Sequence, residues 1–114
     1  MADGPLSLVR GTLDLLVLKA LSSGPSHGYA VSQWIREVTE GALLVEEGSL
    51  YPALHRLERK GWIEAEWGVS DTGRRARFYR LSADGVRRLE LELETWRRYA
   101  RAIERAVSAA EAPS

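Results

Sequence analysis

The chain contains no cysteine, which excludes disulfides, thiolate zinc sites and a cysteine nucleophile. Its two histidines, His27 and His55, stand too far apart for a local metal-binding pair, so no metal or other cofactor is expected. Net charge is also missing, since 16 Lys and Arg balance 16 Asp and Glu. That balance speaks against a nucleic-acid binder, because such domains are often strongly basic. Long apolar runs are absent too. The richest, Leu13 to Leu21, is broken by Asp14 and Lys19 and is too short to cross a bilayer. Met1 to Pro5 lacks the basic start and apolar core of a secretory signal. The expectation is a cytoplasmic protein without membrane association. At 114 residues the chain has room for one core and none for a second, catalytic domain, and no enzyme is expected.

The charge that is present is unevenly spread. Residues 1–47 hold 3 basic and 6 acidic side chains, residues 48–81 hold 7 and 4, and residues 82–114 hold 6 and 6. The positive excess coincides with a helix-sized segment, Ser49 to Lys60, stopped by Gly61 and followed by a pair of alternating segments. Trp62 to Trp67 and Phe78 to Leu81 alternate with period two around a loop, Gly68 to Ala76, that carries Gly73-Arg74-Arg75. This order predicts a recognition helix followed by a β-hairpin wing. In the helix, Leu50, Leu54 and Leu57 share one face and turn inward, while Tyr51, Pro52, His55, Arg56 and Arg59 occupy the other. Pro52 in a first turn costs little, because its missing N–H would be unpaired there.

Two helices precede this unit. Thr12 caps one that runs to Leu21, and Ser26 caps another from His27 to about Thr39, with Val31, Trp34, Ile35 and Val38 at helical spacing. The first is apolar on more than one side, which predicts contact with a second surface such as a partner subunit. Ala42 to Val45 is expected as a short strand. Ser82 caps a long final helix reaching about Ala109, and only Met1 to Pro5 and Glu111 to Ser114 are expected to lack order. The predicted fold is α+β: a winged helix-turn-helix unit over residues 6–81 with a dimerisation helix over 82–110.

A major groove about 12 Å wide admits one helix. Ser49, Tyr51, Pro52, His55, Arg56 and Arg59 are therefore candidate contacts to bases and phosphates of double-stranded DNA. Arg74, Arg75 and Arg77 suit the neighbouring backbone or minor groove. Glu64 and Glu66 are read as cross-strand partners of Arg77 and Arg80 rather than an acid–base pair. In the last helix Val86, Leu89, Leu93, Trp96, Ala100, Ile103 and Val107 form an unbroken a/d stripe, which predicts a homodimer through Leu89, Leu93, Trp96, Ala100, Ile103 and Val107 together with Leu15 and Leu18 of the first helix, with folding of the helix back onto its own domain as the competing reading. Trp34, Trp96 and Tyr99 are candidates to line a flat pocket for a small aromatic effector, with ordinary core packing as the competing reading. A winged-helix module that binds protein, and a small carrier built around a dimer cleft, remain alternatives that salt-dependent DNA binding would separate.

The segments Gly28-Tyr29, Gly48-Ser49-Leu50-Tyr51-Pro52-Ala53-Leu54-His55-Arg56-Leu57-Glu58, Gly61-Trp62-Ile63, Gly73-Arg74-Arg75 and Tyr79-Arg80-Leu81-Ser82 through Gly85 resemble the PadR-like family of bacterial transcriptional regulators. The resemblance covers about residues 8–105. It implies a winged-helix homodimer that usually represses transcription, often relieved by a small molecule. Ser49 stands where members frequently carry threonine, which keeps the hydroxyl. The single C-terminal helix resembles the smaller members, some of which place a tryptophan on that helix where planar ligands stack.

Overall fold

In the computed structural model, which describes residues 4–9 and 11–113, the apolar positions of three helices meet over one small sheet. The elements are α1 (Thr12–Ala20), a 3₁₀ turn (Leu21–Ser23), β1 (Ser26–His27), α2 (Gly28–Val38), α3 (Glu47–Arg59), β2 (Ile63–Val69), β3 (Arg75–Leu81) and α4 (Ala83–Val107). The sheet is antiparallel in the order β1-β3-β2. Val17, Leu18 and Leu21, Val31 and Ile35, Leu50, Leu54 and Leu57, and Ile63, Tyr79 and Leu89 close around one another as the core. This is the expected winged helix with a long C-terminal helix. Residues 1–3 and Ser114, expected to lack order, lie outside the described residues.

Several local expectations are corrected. Gly11, not Thr12, is the N-cap of α1; the Thr12 hydroxyl donates back to the Val9 carbonyl at 2.6 Å. The cap of α2 is His27 rather than Ser26. Its Nδ1 accepts from the Ala30 N–H at 3.2 Å, while Ser26 and His27 form the edge strand against Tyr79 and Phe78. Ala42 to Val45 makes no strand. Several of its polar groups bond elsewhere: Leu43 N–H donates to Thr39 Oγ1 at 3.1 Å, the Val45 carbonyl accepts from Ser32, and the Ala42 carbonyl accepts from Leu6 N–H. These bonds hold the segment to α2, to the turn at Thr39 and to the N-terminal stretch instead of to a neighbouring strand.

α3 begins at Glu47, two residues earlier than expected, which moves Pro52 from the first turn into the second. There the proline leaves the Gly48 carbonyl without its helical donor, at a position exposed to water. The stop is as expected: Gly61 (φ 76) donates to the Glu58 carbonyl and Trp62 N–H to the Leu57 carbonyl, a paired closure that needs a left-handed residue. The strands are longer than the alternation indicated, so the wing loop shrinks to Ser70–Arg74. Ser82 caps α4 through its Oγ, which accepts from Gly85 N–H at 3.0 Å. A Cβ at Gly85 would stand 1.9 Å from the Trp62 carbonyl oxygen, so only glycine lets α4 leave the sheet here.

The stripe on α4 divides. Leu89 is buried and Leu93 half-buried against the core, whereas Val86 before them and Trp96, Ile103 and Val107 beyond them are exposed. α1 is also used up internally: Leu18 is fully buried and Leu15 nearly so, packed with α2, α3 and α4 of the same chain. Leu15, Leu18 and Leu89 are thus core residues rather than a free dimer surface. Among the described residues, no helix is long and apolar enough to cross a membrane.

Candidate nucleic-acid interface

α3 buries Leu50, Ala53, Leu54 and Leu57 and leaves Ser49, Tyr51, Pro52, His55 and Arg59 exposed, with Arg56 half-buried. At 3.6 residues per turn, Pro52, His55 and Arg59 form the middle of the exposed arc. Tyr51 and Glu58 lie on its wing side, and Arg56 on its α1 side.

Both flanks are tied to neighbouring elements. Arg56 Nη2 bonds Asp14 Oδ1 of α1 at 2.5 Å. That carboxylate is mostly covered, with 19% side-chain exposure against 41% for the arginine, so the pair is a clamp between α1 and α3 as well as a place to hold Arg56. On the other flank, Arg77 Nη2 of β3 bonds Glu58 Oε2 at 2.8 Å, and its guanidinium lies 5.9 Å from the Tyr79 ring. Burial pushes the Tyr79 hydroxyl above the usual phenol range, and the Arg77 guanidinium pulls it partly back. Tyr51 rests on the start of α2. A Cβ at Gly28 would meet its ring at 3.0 Å and its hydroxyl at 3.1 Å, so the glycine makes room for the ring.

The cross-strand expectation is half right. Arg80 reaches Glu64 at 3.3 Å and Glu66 at 3.7 Å, but Arg77 turns to the opposite face and to Glu58. The reason is register: Glu64 faces Arg80 and Glu66 faces Phe78, while Arg77 opposes Trp67. Arg74 and Arg75 are exposed at the wing tip. Among the described residues neither they nor Arg59 has a carboxylate within ion-pair distance; the Arg75 guanidinium stacks 4.6 Å over the Trp67 ring instead.

Asp14 and Glu58 were not among the expected site residues. Asp14 read only as an interruption of an apolar run, and nothing local announces a partner 42 residues away. In the sequence Trp67 shows only its place in the alternation, and its exposure follows from strands that outrun the core.

The three expected effector residues do not meet. Trp96 and Tyr99, with ring centroids 6.2 Å apart, line a cleft of about 270 Å³ together with Val9, Gly11, Thr12 and Leu15 from the start of α1. Trp34 is packed against the core on α2 and takes no part in that cleft, because its helical position turns it inward with Val31 and Ile35.

The sequence and the fold have counterparts among known proteins. The profile of the transcriptional regulator PadR-like family matches residues 17–91. A transcriptional regulator of Mycobacterium tuberculosis is 36% identical over 76 residues, 67% of this chain and 67% of that one. An uncharacterized protein of Lysinibacillus sphaericus is 36% identical over 90 residues, 78% of this chain and 82% of that one. Among solved structures, a transcriptional regulator from Clostridium thermocellum superposes with a TM-score of 0.76 at 32% identity, covering 84% of this chain and 93% of that chain. The matched residues take in α2, α3, the wing and the start of α4. The chain therefore belongs to the PadR-like family of winged-helix, DNA-binding transcriptional regulators, and not to a family of enzymes.

Proposed function

We propose that the protein is a homodimeric repressor, acting on promoter DNA in the cytoplasm, that recognises an inverted-repeat operator and is released by a small planar effector. The observation that carries the dimer is the second half of α4. Trp96, Ile103 and Val107 continue the heptad of Leu89 and Leu93 past the last residues that their own core covers. An α4 of 25 residues is about 37 Å long, and a bare apolar stripe along its outer half is the surface that coiled pairing buries. Ala100 supplies the small step between Trp96 and Ile103.

Pairing by a two-fold axis puts two copies of α3 in successive major grooves, about 34 Å apart, with Ser49, Tyr51, Pro52, His55 and Arg59 toward the bases and backbone. Arg74 and Arg75 of each wing then grip flanking phosphates. A dimer covering that length of promoter occludes it, which supports repression. The Trp96–Tyr99 cleft lies between α1 and the proposed pairing stripe, so a flat aromatic ligand stacked there would bear on dimer geometry and hence on half-site spacing.

Selection of bound sequences from random duplex DNA tests this reading. Enrichment of a palindrome with half-sites about one helical turn apart is expected. A single asymmetric half-site, or a monomer at all concentrations in sedimentation, contradicts it.

A further inference from the structure

Two large apolar side chains stand exposed on the wing where the fold gives them nothing to pack against: Trp67 at 59% exposure and Val69 at 70%. They lie on the sheet face that, nearer the core, carries the buried Ile63 and Tyr79, and their register partners are Arg77 and Arg75. On the opposite face at the same level the aromatic side chain is covered. Phe78 lies over Gly68, where a Cβ would come within 2.9 Å of its ring, and its own ring meets His27 edge-on at 5.4 Å. The Trp67 face is the open one, whereas the other turns toward α2 across a cleft lined by His27, Tyr29, Gln33 and Ala76. The open one combines an indole, a valine and the guanidinium of Arg75, 4.6 Å above the indole.

We infer that Trp67 and Val69 form, with Arg75, an apolar contact to the sugar walls of the DNA minor groove that flanks the groove read by α3. The inference rests on the placement of α3 proposed above. The Arg77–Glu58 bond ties this same face of the wing to α3, so the open patch and the exposed arc of α3 belong to one continuous surface. From Tyr79, under the core, to Arg75 is four residues, or about 13 Å of extended strand. A minor groove follows a major groove by about half a helical turn, roughly 17 Å, within reach of side chains this long. Charge selects the occupant. Apolar side chains set beside arginine fit a groove whose floor is negative and whose walls are sugar carbon. A second copy meeting the patch through a two-fold axis would instead bring Arg75 toward Arg75.

The test compares the wild type with Trp67→Ala, Trp67→Phe and Arg75→Ala on one selected duplex, by anisotropy across salt concentrations. A second duplex has diaminopurine replacing the flanking adenines, which adds an amino group to the minor groove and leaves the major-groove edge unchanged. Trp67→Ala is expected to bind about fivefold to twentyfold more weakly with an unchanged salt slope, since no charge is lost. Trp67→Phe is expected to keep most of the affinity, and Arg75→Ala to lower the slope. Diaminopurine should weaken the wild type several-fold and Trp67→Ala hardly at all. Wild-type affinity in Trp67→Ala, or an equal diaminopurine penalty in both proteins, overturns the inference. A changed sedimentation mass in Trp67→Ala also overturns it, by making the patch a protein interface. Absence of binding by the wild type to any duplex would overturn the DNA placement of α3 itself.

Discussion

The arginines of the α3–wing segment fall into two groups. Arg56, Arg77 and Arg80 each hold a carboxylate: Asp14, Glu58, and the pair Glu64 and Glu66. Arg59, Arg74 and Arg75 hold none among the described residues. Arg56 and Arg77 stand where elements cross and Arg80 spans the two wing strands, whereas the second group stands on the open arc of α3 and at the wing tip. The difference explains how a chain of zero formal charge presents a positive surface. Its carboxylates in this segment are largely spent on Arg77, which ties the wing to α3, and on Arg80, which spans the two wing strands, and the untethered arginines face outward. Such partly exposed pairs are worth about 0–1 kcal/mol each, so they orient side chains without making them unavailable to a phosphate.

The comparison can be sharpened by changing each group in turn. The largest effect is expected from the α3 arc. Tyr51→Ala or His55→Ala should cost about 1–3 kcal/mol on the preferred site, roughly fivefold to 150-fold, and relax preference at the bases each contacts. Uniform weakening over all sequences in a selection experiment would instead assign both to the backbone.

A smaller effect is expected from the tether between α1 and α3. Asp14→Asn leaves Arg56 without its carboxylate, so affinity should rise no more than about fivefold and the salt slope by up to about one per protomer. If binding instead falls while stability drops in a denaturant titration, Arg56 serves as a strut and not as a DNA contact.

The smallest effect concerns Tyr79 beneath Arg77. Its hydroxyl ionises above the ordinary phenol range in the folded chain and near pH 10 in the unfolded one. The stabilisation is therefore complete below about pH 10 and lost as pH rises beyond it. Thermal unfolding should show the decline in the wild type, and a shallower one in Tyr79→Phe.

Much of this organisation was legible in the residues. Leu50, Leu54 and Leu57 located the inward face of α3, Gly61 its stop, Ser82 the start of α4, and the alternation around Gly73-Arg74-Arg75 the wing. What escaped depended on crossings distant in sequence. β1 is two residues long and exists only because Phe78 and Tyr79 lie beside it. Asp14 meets Arg56, and Glu58 meets Arg77, through helix and sheet packing that no local pattern encodes. The heptad of α4 gave the stripe but not its division, since Leu89 and Trp96 occupy equivalent positions and only the packing of the core around Leu89 distinguishes them. Trp34 failed as a partner of Trp96 and Tyr99 for a similar reason: helical spacing gives a face, and tertiary packing decides what that face meets.

The measurement that bears most directly on the division between tethered and free arginines is the salt dependence of DNA affinity for the wild type beside Arg74→Ala/Arg75→Ala. Removing two free cations should weaken binding to every sequence and lower the slope of log affinity against log salt by about two per protomer. The same measurement on Arg80→Ala, a tethered arginine on the far face, should leave the slope unchanged. A wing variant with the wild-type slope, or an Arg80→Ala variant that loses as much as the wing variant, would contradict the account.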